Sequence, residues 1–186
     1  MERIYLDHAA TSPMHPEVIN QMLPHMQDVF GNPSSIHSFG RESRRLLDEA
    51  RAVISRSLHA KPKEIIFTSG GTEADNLAII GSAHANQHKG RHIITTQIEH
   101  HAVLNTCKHL EKQGFKVTYL PVDQNGAVSI KDLKRELTSE TILVTIMYGN
   151  NETGSIQPIE EIGMALKDHQ ALFHTDAVQA FGILDL

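Results

Sequence analysis

From residue 40 onward, short apolar runs alternate with stretches of helical periodicity, and this alternation restricts the fold more than any other feature of the chain. A helix is predicted from Arg41 to about His59, with Leu46, Leu47, Ala50, Val53, Ile54 and Leu58 on one apolar stripe. Strands are predicted at 64–68, 91–96, 116–122, 141–147 and 171–175, and helices at 73–88, 101–113, 129–137 and 159–168. A turn at Asp123-Gln-Asn-Gly126 follows the third of these strands. The pattern implies an α/β fold, a mostly parallel sheet with helices on both faces. The first 40 residues differ: the turn-rich segments Leu6–Thr11 and Gly31–Ser35 flank a helix starting near Pro16, which suggests an arm or lid outside the sheet.

Composition narrows the function classes. A chain of 186 residues suits one domain, or one large domain with a fragment of another. The net charge of −5 argues against a nucleic-acid backbone binder. No stretch approaches the roughly 18 apolar residues a membrane helix needs, so no membrane partner is expected. The one cysteine, Cys107, allows no internal disulfide and fits a reducing, cytoplasmic setting. Histidine is over-represented at 13 copies, and a metal would need ligands at defined spacings such as His84 and His88 on one helix face. With no acidic or cysteine partner at a matching spacing, no metal is expected. The sequence closes on Gly182-Ile-Leu-Asp-Leu186, just beyond a strand and without a following helix, which reads as a truncated domain.

The chemistry starts at Glu64–Ile79. A β-branched run (Ile65, Ile66, Phe67) gives way to Ser69-Gly70-Gly71-Thr72, and a helical pattern with Ala74, Leu77, Ala78 and Ile80 follows at once. Glycines allow a sharp turn and close approach to a ligand. Thr72 is expected as the helix N-cap and Asp75 as an acid of the first turn. Free N–H groups at such a helix start bind anions. The segment fits neither G-x-G-x-x-G nor G-x-x-x-x-G-K-[ST], which argues against a dinucleotide or P-loop site.

Ligands of open α/β sheets bind beyond the carboxyl ends of the strands. Those ends carry Ser69–Thr72, Glu99-His100-His101, Tyr148-Gly-Asn-Asn-Glu152 and His174-Thr-Asp-Ala-Val-Gln179. A phosphate cup, a flat-ring contact, a carboxylate and amide donors together suggest pyridoxal phosphate. Six segments resemble the NifS/IscS-type cysteine desulfurases, fold-type I enzymes of the aminotransferase class V kind. They are Tyr5–Thr11, Gly31–His37, Phe67–Glu73, Glu99-His100, Asn150–Gly154 and His174–Gln179, and they run in family order along essentially the whole chain.

The resemblance implies roles residue by residue. Gly71 and Thr72 hold the cofactor phosphate. His100 stacks on the ring and assists proton transfer, Asp176 pairs with the ring nitrogen, and Asn151 and Gln179 bond around the phenolic oxygen and the substrate side. It further implies a homodimer, L-cysteine as substrate, sulfur passing to an acceptor protein of iron–sulfur cluster biogenesis, and residues 1–15 as an arm of the small domain beside an incomplete cofactor domain at 16–186. The departures are specific. The family's cofactor-anchoring lysine, its persulfide-forming cysteine and its substrate-carboxylate arginine fall beyond Leu186, and His8 stands where asparagine is usual. Cys107 is no substitute, because it lies inside a helix with Val103, Leu104 and Leu110 at core spacing. The chain is therefore expected not to turn over cysteine alone. Another fold-type I enzyme, such as a selenocysteine lyase, and a non-catalytic binding module stand as alternatives.

Overall fold

The computed structural model describes residues 3–184. The extreme ends of the expected arm and of the expected truncated domain lie outside those residues. The chain divides between Phe67 and Thr68 into two compact units.

In the first unit, α1 spans Pro16–Asp28 and α2 spans Ser38–Ser57. Both start on a histidine whose ring nitrogen takes up a free backbone donor. The Glu17 N–H donates to Nδ1 of His15 (3.3 Å), and the Gly40 N–H to Nδ1 of His37 (3.4 Å). Part of the histidine excess is thus capping. The apolar stripe expected on α2 is present but uncovered within the unit, with Leu47, Val53 and Leu58 exposed. The strand expected at 64–68 does not form. Pro62–Glu64 is a 3-10 turn, in which Glu64 and Ile65 direct their N–H groups back to Lys61 and Pro62. Ile66 is 69% exposed, and the Arg51 guanidinium lies 4.8 Å over the Phe67 ring. Backbone donors closed into a tight turn cannot serve a ladder.

The second unit contains α3 (Gly71–Asn86), β1 (His92–Thr96), α4 (His101–Lys112), β2 (Lys116–Leu120), α5 (Ile130–Glu136), β3 (Thr141–Thr145), α6 (Ile159–Leu166) and β4 (Leu172–His174). The four strands pair in parallel in the order β2-β1-β3-β4. Two cores cover the sheet. Ile93 and Leu143 pack with Ile79, Ala83, Val103, Cys107 and Leu110 of α3 and α4. Their neighbours Ile94 and Val144 pack with Leu133, Ile162 and Leu166 of α5 and α6. Alternating residues face opposite sides of a strand, so continuous apolar runs bury on both faces.

Two strand ends fall short of the sequence expectation, each for a local reason. β2 stops at Leu120 because Pro121 has no N–H to donate, and Val122 instead bridges Val128 across the Asp123–Gly126 turn. β3 stops at Thr145 as a regular strand, yet Ile146 N–H still bonds to His174 O (3.1 Å) and Tyr148 N–H to Asp176 O (2.9 Å). The extended pairing therefore carries on to Asp176. β1 leads to β2 on one side and lies against β3 on the other, so the chain leaving β1 and the chain leaving β3 part company at their carboxyl ends. That parting is where α/β sheets open a binding crevice.

Gly90 fixes the entry to the sheet. A Cβ there would lie 2.3 Å from the carbonyl oxygen of Glu140, which also accepts the His92 N–H at 2.9 Å. The expected cost of Gly90→Ala is about 1–3 kcal/mol, because backbone must move. A urea melt of the two proteins measures it.

Candidate functional site

The start of α3 differs from the sequence expectation. Its N-cap is Gly70 with no side-chain cap, and Thr72 sits inside the first turn. Glu73, fully exposed, turns its carboxylate outward to accept from both the N–H and the hydroxyl of Ser69, each at 2.6 Å, and these bonds lower its pKa. The helix start thus keeps backbone donors free of a side-chain cap. A Cβ on Gly71 would lie 3.0 Å from Cγ2 of Val178, so the α3 start rests against the loop after β4. The buried stripe of α3 is Asp75, Ile79 and Ala83, whereas Leu77 of the expected stripe is 52% exposed.

After β1 the chain turns through Glu99 to His100, which caps α4 by accepting the Ala102 N–H on Nδ1 (3.1 Å). That bond commits Nδ1 as an acceptor and leaves Nε2 as the ring's other hydrogen-bonding edge. Glu99 is 5% exposed and ties β1 to β3. Thr96 Oγ1 donates to it (2.7 Å), and the Met147 N–H lies 3.0 and 3.1 Å from its two oxygens. Burial nevertheless pushes its carboxyl up to about 7, against those bonds.

The loop after β3 is built around Asn150. Its amide donates to Ile98 O (2.9 Å), and its oxygen accepts the N–H groups of Glu152 (2.9 Å) and Thr153 (2.8 Å). Asn150 and Asn151 both line a cleft of about 260 Å³ together with His100, Glu99 and Gln97. A second cleft of about 300 Å³ brings Thr72 and His100 together with Asn76 and Asn105. Thr72 and Asn151 therefore line different clefts that share His100 and His101.

Beyond β4, Asp176 is 8% exposed and its Oδ1 accepts the Val178 N–H (3.0 Å). Gln179 packs by Gly149, where a Cβ would lie 3.6 Å from its own Cβ. The six residues singled out by sequence thus lie on the loops after β1, β3 and β4 and on the first turn of α3.

Sequence reading gave Asp75 only as a first-turn acid and His174 only as part of a strand-end segment, and it missed Thr145 and the contact among the three. Asp75 is 5% exposed, and its Oδ1 lies 3.7 Å from Nε2 of His174, whose Nδ1 meets Thr145 Oγ1 at 2.8 Å. Burial first, and the charge of Asp176 second, push the Asp75 carboxyl up to about 7. Burial holds the His174 imidazole below the usual histidine range, with Asp176 opposing. The signal was in the sequence: Asp75, Ile79 and Ala83 recur at helical spacing, and His174 and Asp176 at strand spacing. Among the described residues no cluster of three His, Cys, Asp or Glu side chains could hold a metal.

Residues 4–185 match the Aminotransferase class-V family. The chain belongs to that family. It is 68% identical over 186 residues to a Bacillus subtilis (strain 168) protein assigned provisionally as cysteine desulfurase IscS 1, covering all of this chain and 49% of that protein. It is 54% identical over 185 residues to a Clostridium botulinum protein named cysteine desulfurase IscS, of which it covers 47%. A solved NifS-like protein superposes with a TM-score of 0.95 at 39% identity, over 100% of this chain and 51% of that one. A solved structure of SspA in complex with cysteine superposes with a TM-score of 0.92 at 42% identity, over 98% of this chain and 52% of that one. The resemblance to NifS/IscS-type proteins and the α/β fold read from sequence are borne out. The chain spans about half the length of these relatives. No helix among the described residues is long and apolar enough to cross a membrane.

Cys107 is fully buried between α4 and the sheet, and burial pushes its thiol up to about 12. A thiol reagent is expected to leave the native chain unmodified at pH 8 and to label it only after unfolding, followed by intact mass. The raised carboxyls also set a pH dependence. Folded Glu99 and Asp75 hold protons that the unfolded chain has released, so their contribution to stability is full below the unfolded values, 4.5 for Glu99 and 3.8 for Asp75, and falls as pH rises to about 7. Glu99→Gln is expected to flatten that decline and leave the Asp75 part, as read by unfolding midpoints from pH 5 to 8.

Proposed function

We propose that this chain supplies the cofactor-binding part of a pyridoxal-phosphate-dependent cysteine desulfurase. The protein would act as a cytoplasmic homodimer, convert L-cysteine to L-alanine, and pass the sulfur to an enzyme cysteine and then to an acceptor protein. The observation that carries this reading is the meeting of an uncapped helix start, a buried carboxylate and a fixed imidazole at one end of a sheet whose relatives bear desulfurase names. Residues 1–15 are assigned to an arm of the small domain and 16–186 to the cofactor domain. Exposed apolar residues of the first unit, such as Ile4, Leu6, Phe30 and Ile36, support burial of that unit in a larger assembly.

The residues present fit the cofactor. The open donors at Gly71 and Thr72 suit a phosphate dianion. Asp176, held by the Val178 N–H, suits a cationic ring nitrogen. Pyridoxal phosphate, when bound, supplies a ring that accepts electrons from the reacting carbon of the substrate.

The chain's own contribution is then positional. Gly71 and Thr72 bind the anionic end, and Asp176 keeps the ring nitrogen protonated. The Nδ1 bond of His100 fixes its ring plane and leaves Nε2 to hold or move a proton. Asn151 and Gln179 orient the opposite edge of the ring. Pyridoxal phosphate is expected to bind the full chain as read by absorbance. Asp176→Asn is expected to weaken binding about tenfold, the loss of one charge-assisted bond. Equal affinities for the two proteins would contradict the Asp176 assignment.

A further inference from the structure

Behind Asp176 lies a polar layer that none of the roles above uses. β4 is extended through Asp176, as the β3 backbone bonds at His174 and Asp176 show. His174 and Asp176 are two residues apart on that extended backbone and project to the same face. That is the face covered by α3, whose buried stripe presents Asp75 to His174. Thr145 reaches the same imidazole from β3.

A buried carboxylate that faces an imidazole is ionised at low cost only when that imidazole takes the proton. Nε2 of His174 and Oδ1 of Asp75 lie 3.7 Å apart, within ion-pair range and beyond a direct hydrogen bond, so the charge on either sets the protonation of the other. The Thr145 hydroxyl, 2.8 Å from Nδ1, can accept from an imidazolium or donate to a neutral ring, so it serves both states. We propose that Asp75 and His174 form a proton-sharing pair, seated by Thr145, that acts as a positioning unit for the charge of Asp176. The cofactor consequence rests on the reading of Asp176 as partner of the ring nitrogen.

The ionisable groups around the pair are few. α3 supplies Asp75, the β4 extension supplies Asp176, and the β1–α4 loop supplies Glu99, whose charge in turn reaches the Cys107 thiol of α4. The charges of Asp176 and Asp75 reach Glu99 as well. With the proton shared, the pair is neutral behind Asp176. When it is lost, one more negative charge stands there and favours a proton on whatever Asp176 faces.

The test needs no cofactor. In the labelled full chain, the His174 imidazole is followed by long-range 1H–15N spectra and the Asp75 carboxyl by 13C shifts from pH 5 to 9. Asp75→Asn is expected to lower the His174 midpoint by about one unit, and His174→Gln to raise the Asp75 midpoint by the same amount, because linkage is reciprocal. Midpoints that stay put in either folded variant overturn the pair. If Asp75→Asn does not fold, His174→Gln decides the pair by the Asp75 midpoint alone, and Thr145→Val tests the seating, since it is expected to alter the His174 tautomer ratio and an unchanged ratio overturns it. A second arm titrates pyridoxal phosphate into the full chain across the same pH range. A bend in affinity near pH 7 that Asp75→Asn abolishes supports coupling to Asp176, and an unchanged profile in that variant overturns it. Loss of the reading of Asp176 itself shows separately, as binding indifferent to Asp176→Asn while the His174 and Asp75 midpoints remain linked.

Discussion

The parallel pairing of β1 with β3 and of β3 with β4 is the constraint on which the functional end of the chain depends. Parallel strands all deliver their carboxyl ends to one side, so three loops far apart in sequence are forced into one neighbourhood. The switch between β1 and β3 then opens a gap between the loop carrying His100 and the loop carrying Asn151. Glu99 spans that gap by taking the Met147 N–H, and Asn150 spans it again by donating to Ile98 O. The loops that carry His100 and Asn151 are therefore tied together by side chains of the same cleft.

Buried acid gathers around those ties. Asp75, Glu99 and Asp176 lie almost wholly out of water on neighbouring elements. Each uncompensated carboxylate there is costly, and the raised pKa values of Asp75 and Glu99 record the strain as retained protons. A fold shaped only for stability would replace such a cluster with apolar residues. Its presence where the strands end is in keeping with a site that must hold a cation.

Much of this was legible in the sequence, because the periodicities are strong. Ile93-Ile94 and Leu143-Val144 bury on both faces and read as central strands. The Gly70-Gly71-Thr72 turn and the three polar strand ends are the sequence features from which the candidate site was read. Ile65–Phe67 misled, since β-branching gives a preference while pairing decides, and the Ile65 N–H at the head of that segment is drawn back to Pro62 by the 3-10 turn. Thr72 was read as the cap because its hydroxyl suits the position, whereas the backbone starts the helix at Gly71. The burial of Asp75 was missed because an acid near a helix start is usually solvated, and only the Asp75, Ile79, Ala83 stripe shows that this one faces inward.

A crystal structure of the full chain soaked with pyridoxal phosphate tests the site most directly. The expected density places the phosphate on the Gly71 and Thr72 backbone and the ring nitrogen against the Asp176 carboxylate, with the His100 ring alongside. Density for the cofactor away from the α3 start, or a ring turned so that Asp176 faces its phenolic edge, would contradict the assignment.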